Sequence, residues 1–487
     1  MGVIEGTDGN DLNRIGVGES IDRIDGSAAA KPVSPPPAGD SGLPSGSGSA
    51  PANAAVQRAL WRMMSFYDAP LADLDEASRH DPAWPLPHLM RAGFLYSLTE
   101  PALLADAGSA LARAQALAGA SPSAWPAHEQ AHRIAIEHLA QGRWQAACQV
   151  WDDSLIEHPR DALALQWAQL WDFYRGDAAA LRGRPARALS AWHEDDALYP
   201  CVLALWAFGL EENHRYAEAE EAARRALALD PHVPWAVHAV AHVMEMQGRF
   251  EEGSAWLRQQ QAHWAEGNGF AIHLWWHKCL FRLEALDVAG TLRLVDAHLS
   301  GPANLQIGLQ RLDAASLLWR LSLMGHDVQA HARALVADWP ADPAHAGHYA
   351  FNDWHYVLAL LAADERAAAE AWLARCAEQA MRPEDGARTN RWMAREVGLP
   401  LMRGVLALHA GQAQAAGDWL YPARAQAQRF GGSHAQRDLI DQTLIAAGCA
   451  PGGRRALARA LLNERLLAKP ATPLTRHWLQ RLGDPPP

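Results

Sequence analysis

Arg215-Tyr216-Ala217-Glu218-Ala219 opens a stretch that closes on Leu229-Asp230-Pro231. A bulky aromatic residue begins it, small alanines fill it and a proline stops it. Proline cannot continue a helix, so Pro231 marks the end. Alanines at helical spacing let a neighbouring helix approach closely. The tyrosine fills the gap where the helix starts. The stretch predicts the second helix of an antiparallel pair.

The same spacing recurs. One and the same interval separates Tyr67 from Pro82, Trp144 from Pro159, Tyr216 from Pro231 and Val328 from Pro343. Gly142-Arg143-Trp144-Gln145-Ala146-Ala147, ending at His158-Pro159, is the second clear copy. Its glycine suits the turn between two helices. Aromatic, alanines and terminal proline in this order form the pattern of the tetratricopeptide repeat. The copies themselves lie irregularly along the chain, which predicts a degenerate array with extra helices. The expected fold class is all-α: an α-α superhelix, a TPR-like solenoid of antiparallel helix pairs. Cutting such a stack exposes a repeat face, so 53–487 is read as one domain. Arg454 to Leu482 is read as a closing helix pair that caps the array.

Composition agrees. The 487 residues exceed the roughly 250–300 that one compact core holds, so repetition or division is expected. Hydrophobic residues make up 49% and charged residues 20%, enough to bury a core along most of the chain. Net charge is -12 and no basic run occurs. That argues against nucleic acid, which needs a positive stripe, and against an anionic membrane surface. No apolar stretch approaches the roughly 20 residues that span a bilayer. The polar start lacks a signal peptide's apolar segment. Gly6 stands where a myristoylation signal wants Ser or Thr. Cys148, Cys201, Cys279, Cys376 and Cys449 form no CxxC pair. They read as buried small hydrophobes in a reducing compartment, so the expected location is cytoplasmic.

Residues 1–52 are rich in Gly, Ser, Pro and Asp and hold no aromatic residue. They bury too little apolar area to offset ordering entropy and are read as a flexible leader. Within it, Gly6-Thr7-Asp8-Gly9-Asn10-Asp11-Leu12 looks like one turn of a calcium-binding β-roll. Such turns bind only when several stack, so one copy is read as chance.

Chemistry points to the 23 histidines. A helix turns about 100° per residue, so positions four and seven apart share a face. His238, His242 and Glu245 lie on one face of Trp235-Ala236-Val237-His238-Ala239-Val240-Ala241-His242 and its continuation, with Pro234 suited to its first turn. His273 and His277 form a second such pair. His345, His348, Asn352 and His355 share a third face if Ala344 to Leu361 is helical. In Gly431-Gly432-Ser433-His434, Ser433 reads as a helix cap, with His434 and Asp438 one turn apart. His128 and His132, with Glu129, form a fainter group.

Taken singly, each histidine reads as a half-buried, hydrogen-bonded residue. Together they suggest a shared site, because inner helices of such arrays line a concave surface. The favoured function is a concave His- and Trp-rich groove that binds a protein, a peptide or a small-molecule ligand by stacking and hydrogen bonding. Its expected residues are His238, His242, Glu245, His273, His277, His348, Asn352, His355, His434 and Asp438. Lys31, Lys278 and Lys469 are the only lysines, so a lysine clamp for a C-terminal carboxylate is absent. Most of the 21 tryptophans read as core, though Trp275 and Trp276 point different ways and one is expected to face the groove.

The alternative is a metal-dependent enzyme using the same cluster. Histidines at i and i+4 with a carboxylate suit a divalent metal such as Zn or Fe. His238, His242 and Glu245 are the expected ligands, with His273 and His277 as a second pair. Ala239 and Leu274 follow the first histidines, so the zinc-hydrolase H-E-x-x-H pattern is missing. No nucleophile elbow, phosphate loop or dinucleotide fingerprint occurs.

At these motifs the chain resembles the tetratricopeptide repeat protein 38 family. The resemblance rests on Trp235 through Phe250, on His273-Leu274-Trp275-Trp276-His277, on Phe351-Asn352-Asp353-Trp354-His355 and on Gly431 through Asp438. It covers nearly all of 55–480. It implies an α-α superhelix in the cytoplasm, and no particular reaction. It also implies that His238, His242, Glu245, His277, His355 and His434 belong to the family pattern. Tyr356-Val357-Leu358 departs from it, where smaller or Met-rich residues are expected.

Overall fold

The computed structural model describes residues 46–119, 127–382 and 388–483. The β-roll-like turn and most of the proposed leader lie outside the described residues. The first described helix, Ala50–Ser65, starts three residues before the expected body. Ser49 caps it by accepting the Ala52 N–H, and Pro51, read as leader, sits in its first turn. There a missing N–H is no loss.

Every extended element among the described residues is helical. An isolated bridge joins Tyr67 and Asn268. Successive helices pair in order along the chain. From Ala162 onward the first helices of the pairs begin at Ala162, Tyr199, Pro234, Ala271, Gly308 and Ala350. The steps are nearly constant, with a longer last one, and fall within the range of roughly 20–50 that marks stacked repeats. This near-regular repeat is hidden behind the irregular placing of the aromatic-to-proline copies.

Trp144 and Tyr216 open second helices as expected. Val328 stands just before its helix, Gln329–Ala337. Tyr67 lies in a turn ahead of Leu71–His80, where its hydroxyl bonds the His263 carbonyl. Pro82, Pro159 and Pro231 follow helix ends. Pro343 instead begins a short 3-10 turn, Pro343–His345.

Burial separates the helices into two layers. Pro234–Met246 buries twelve of its thirteen residues, whereas Tyr216–Leu229 buries four of fourteen. The first helices are apolar on nearly every side, so they must be covered on nearly every side. The second helices show one alanine face inward and charge outward.

Inner helices also touch one another across the interior. Tyr174 Oη donates to the Ser97 carbonyl at 2.8 Å, and Tyr349 Oη donates to the Tyr174 carbonyl at 2.9 Å. Trp319 Nε1 donates to Thr443 Oγ1 at 3.1 Å. Phe66 stacks on Phe270 with ring centroids 5.0 Å apart. Apolar inner faces gain more from mutual burial than from lining open solvent. No described helix is long and apolar enough to cross a membrane.

Candidate metal centre

Two of the four predicted histidine faces meet. Pro234–Met246 and Ala271–Glu284 each present histidines one turn apart, and the helices place the pairs against each other. Ring centroids are 4.3 Å apart for His238 and His242, 4.5 Å for His242 and His277, and 4.8 Å for His273 and His277. His238 Nε2 lies 3.1 Å from His273 Nε2. One nitrogen from each of the four rings falls within 4.8 Å of the others. Ideal Zn–N bonds of about 2.0–2.1 Å put tetrahedral ligands about 3.3 Å apart. The upper limit here, 4.8 Å, is about 1.5 Å wider than that spacing.

Carboxylates stand behind three of the rings. His273 Nδ1 is 2.7 Å from Asp313 Oδ2, His277 Nδ1 is 2.9 Å from Glu245 Oε2, and His242 Nδ1 is 3.4 Å from Glu211 Oε2. Asp313 and Glu245 are within hydrogen-bond reach of Nδ1 of His273 and His277, the arrangement that orients metal-ligating histidines, whereas Glu211 and His242 form no hydrogen bond. His277 Nε2, both nitrogens of His242 and His238 Nδ1 are buried without a hydrogen-bond partner. Burial, then His242, His273 and His277, push His238 well below the ordinary histidine range. Burial likewise holds His242 at about 4, although Glu212 and Glu245 pull it upward. Neutral rings with bare nitrogens are the form a metal takes.

The sequence pattern expects Glu245 as a ligand. The structure makes it the support of His277 instead, because its carboxylate faces that ring from outside the cluster. Burial pushes Glu245 up to about 7, against the pull of Lys469.

His434 reaches the flank of the cluster. Gly431 and Gly432 both take positive φ, which only glycine adopts cheaply. Ser433 then caps His434–Cys449: its hydroxyl accepts the Gln436 N–H, and Gln436 Oε1 accepts the Ser433 N–H. This turn aims the His434 backbone N–H at Glu212 Oε1, 2.9 Å away. Arg437 holds the other oxygen at 3.1 Å. Burial pushes Glu212 up, but His434 and Arg437 outweigh it and hold it at about 2.

An apolar cavity of about 190 Å³ adjoins the cluster. His238, His273 and Asp313 form part of its wall, with Phe66, Phe94, Trp167, Phe173, Trp235, Phe270 and Phe351 around them. Arg62 and Asp68 also line it, and both are partly exposed.

The remaining predicted residues go elsewhere. The third face is broken, because 346–349 is not helical and the helix starts at Ala350. His348 and Asn352 line a separate cavity of about 50 Å³ with Glu100, Trp339 and Trp372. Asn352 donates to Thr99 Oγ1 at 3.0 Å. His355 donates its Nδ1–H to the Phe351 carbonyl at 2.8 Å, one turn back on its own helix. Asp438 pairs with Arg465 at 2.5 Å and is held below its usual range by Arg465, Lys469 and Arg320 against the effect of burial. His132 accepts from Trp151 and pairs with Asp161 in the core; the His128 side chain lies outside the described residues. Neither Trp275 nor Trp276 lines the large cavity. Trp275 stacks on His298, and Trp276 stacks on His273 and donates to Ser316.

Sequence reasoning misses Asp313, Glu211 and Glu212. Each is an acidic residue inside or ending a largely buried helix, and for Glu211 and Glu212, which end an apolar helix, that mismatch is the available signal. No protein-family model matches the chain.

Proposed function

We propose that the four-histidine cluster binds a divalent transition metal, and that the protein is a metal-dependent enzyme acting on a small, mainly apolar molecule. The observation that carries this is His238, His242, His273 and His277: three buried imidazoles and one half-buried imidazole sharing one space, backed by Asp313 and Glu245. Buried acceptors without partners each cost about 1–3 kcal/mol, which a cation at their centre relieves. All-imidazole donor sets suit Zn, Fe, Ni or Cu. When bound, such an ion supplies a Lewis-acid or redox centre at the cavity wall.

The cavity supports a substrate class. A void of about 150 Å³ lined by apolar side chains takes a benzene-sized molecule. The space here is somewhat larger, at about 190 Å³, and has no lysine on its wall. His238 and His273 bridge the metal cluster and the cavity.

The near-constant steps between inner helices support reading the pairs as degenerate tetratricopeptide repeats wound as a superhelix. Kinship with the tetratricopeptide repeat protein 38 family and a cytoplasmic location belong to the same proposal. The unpaired cysteines support the location.

Elemental analysis tests the metal. Chain purified without added metal is expected to carry at least one equivalent of Zn, Fe, Ni or Cu. His273→Gln with His277→Gln is expected to abolish binding at this centre with the helical circular dichroism retained. A metal-free wild type whose melting temperature does not rise with these ions overturns the reading.

A further inference from the structure

The four-histidine cluster has a neighbour. Glu211 ends the Tyr199–Glu211 helix with its carboxylate wholly buried, and neither of its oxygens accepts a hydrogen bond. Its partner Glu212 is satisfied by the His434 backbone N–H and by Arg437. Arg437, 3.1 Å from Glu212, and the His434 ring, 3.7 Å from Glu212 and 3.9 Å from Glu211, are the groups that face this buried pair. One ligand atom each from Glu211, Glu212 and His242 lies within 4.8 Å of the others. His242 Nδ1 faces Glu211 at 3.4 Å. Its Nε2, on the other side of the ring, has no hydrogen-bond partner.

Resting on the metal reading above, we propose that Glu211, Glu212 and His242 hold a second divalent cation, with His242 shared between the two centres. The unsatisfied Glu211 carboxylate is the independent mark of this site, since nothing in the four-histidine cluster requires it to be bare. Two carboxylates and one imidazole suit Zn, Mn or Fe. Binding on both ring nitrogens removes the last imidazole proton, which leaves to solvent. An imidazole between two ions, each about 2.0–2.1 Å from its nitrogen, sets them about 6 Å apart. That exceeds the roughly 3.5–4 Å of sites where two metals clamp one substrate oxygen. The second cation therefore compensates charge and fixes His242 and does not contact the substrate.

The test is metal counting on the full chain loaded with Zn²⁺ and desalted. Wild type is expected to hold two equivalents, and Glu211→Gln one. Crystals of the zinc-loaded wild type are expected to show two anomalous peaks, one on each side of the His242 ring. One equivalent in wild type, unchanged by Glu211→Gln, overturns this proposal and leaves the four-histidine centre standing. No equivalent at all overturns both. If Glu211→Gln fails to fold, Glu212→Gln replaces it with the same expectation, and the number of anomalous peaks in wild type decides independently of either variant.

Discussion

His273 is held in one orientation because its Nδ1 meets the Asp313 carboxylate at 2.7 Å, while Trp276 stacks on its ring with an interplanar angle of 17°. Ring orientation thus depends on two residues of which the i, i+4 spacing contains neither. The same logic holds for His277 and Glu245. Asp353 shows what a buried carboxyl does without a cation. Gly347 N–H and Trp372 Nε1–H both donate to its Oδ1, and the Cys376 thiol also bonds the carboxyl. Burial pushes Asp353 from 3.8 up to about 7. Between those values the folded chain binds the proton and the unfolded chain does not. Stability contributed by this residue therefore falls as pH rises from about 4 to about 7 and is flat above. Asp353→Asn keeps both accepted bonds and has no proton to lose. The variant is expected to exceed wild type at pH 8 by up to about 4 kcal/mol, at ~1.4 kcal/mol for each tenfold change in proton affinity. The gap should close near pH 4, as read from denaturant midpoints at the two pH values. A gap independent of pH refutes the burial argument.

At the level of elements, the helices are legible and their meeting points are not. Apolar spacing and prolines mark most helix ends, and Ser433 with Gln436 marks the start of His434–Cys449 as expected. The break before Ala350 is not legible. Tyr349 is claimed by the distant Tyr174 carbonyl and Ala350 N–H by Asn390, so 346–349 cannot extend the helix. Gly432 carries a sharp element-level demand. Its φ is positive, and an added Cβ would stand 2.4 Å from the Phe351 ring. Gly432→Ala thus combines left-handed strain of about 1–2 kcal/mol with overpacking of about 1–3 kcal/mol. It is expected to destabilise by about 2–5 kcal/mol in thermal or denaturant melts, the sum of those two costs. A loss below about 0.5 kcal/mol, the size of an ordinary surface change, would mean that the turn relaxes freely.

Across the whole molecule, buried ion pairs fasten the last helices to the inner layer. Arg465 reaches Glu284 at 2.6 Å and Asp438 at 2.5 Å, Lys469 reaches Glu284 at 2.9 Å, and Thr472 donates to Glu284 Oε2 at 2.5 Å. Breaking one partner of such a network leaves a buried charge uncompensated. Arg465→Met is expected to cost about 3–5 kcal/mol, read from the denaturant midpoint. A cost under about 1 kcal/mol would class the network with exposed pairs. This network also explains why Asp438, predicted for the binding groove, serves the frame instead. The sequence alone determined the helices, their alanine faces and the histidine pairs one turn apart, because these depend on spacing within one helix. Tertiary structure decided that inner helices touch one another across the interior, that two histidine faces meet and two do not, and that Asp313, Glu211 and Glu212 stand beside the rings. Those contacts join residues on different helices, far apart along the chain. They arise only when apolar inner helices bury one another and carry their few polar groups into the same enclosed space.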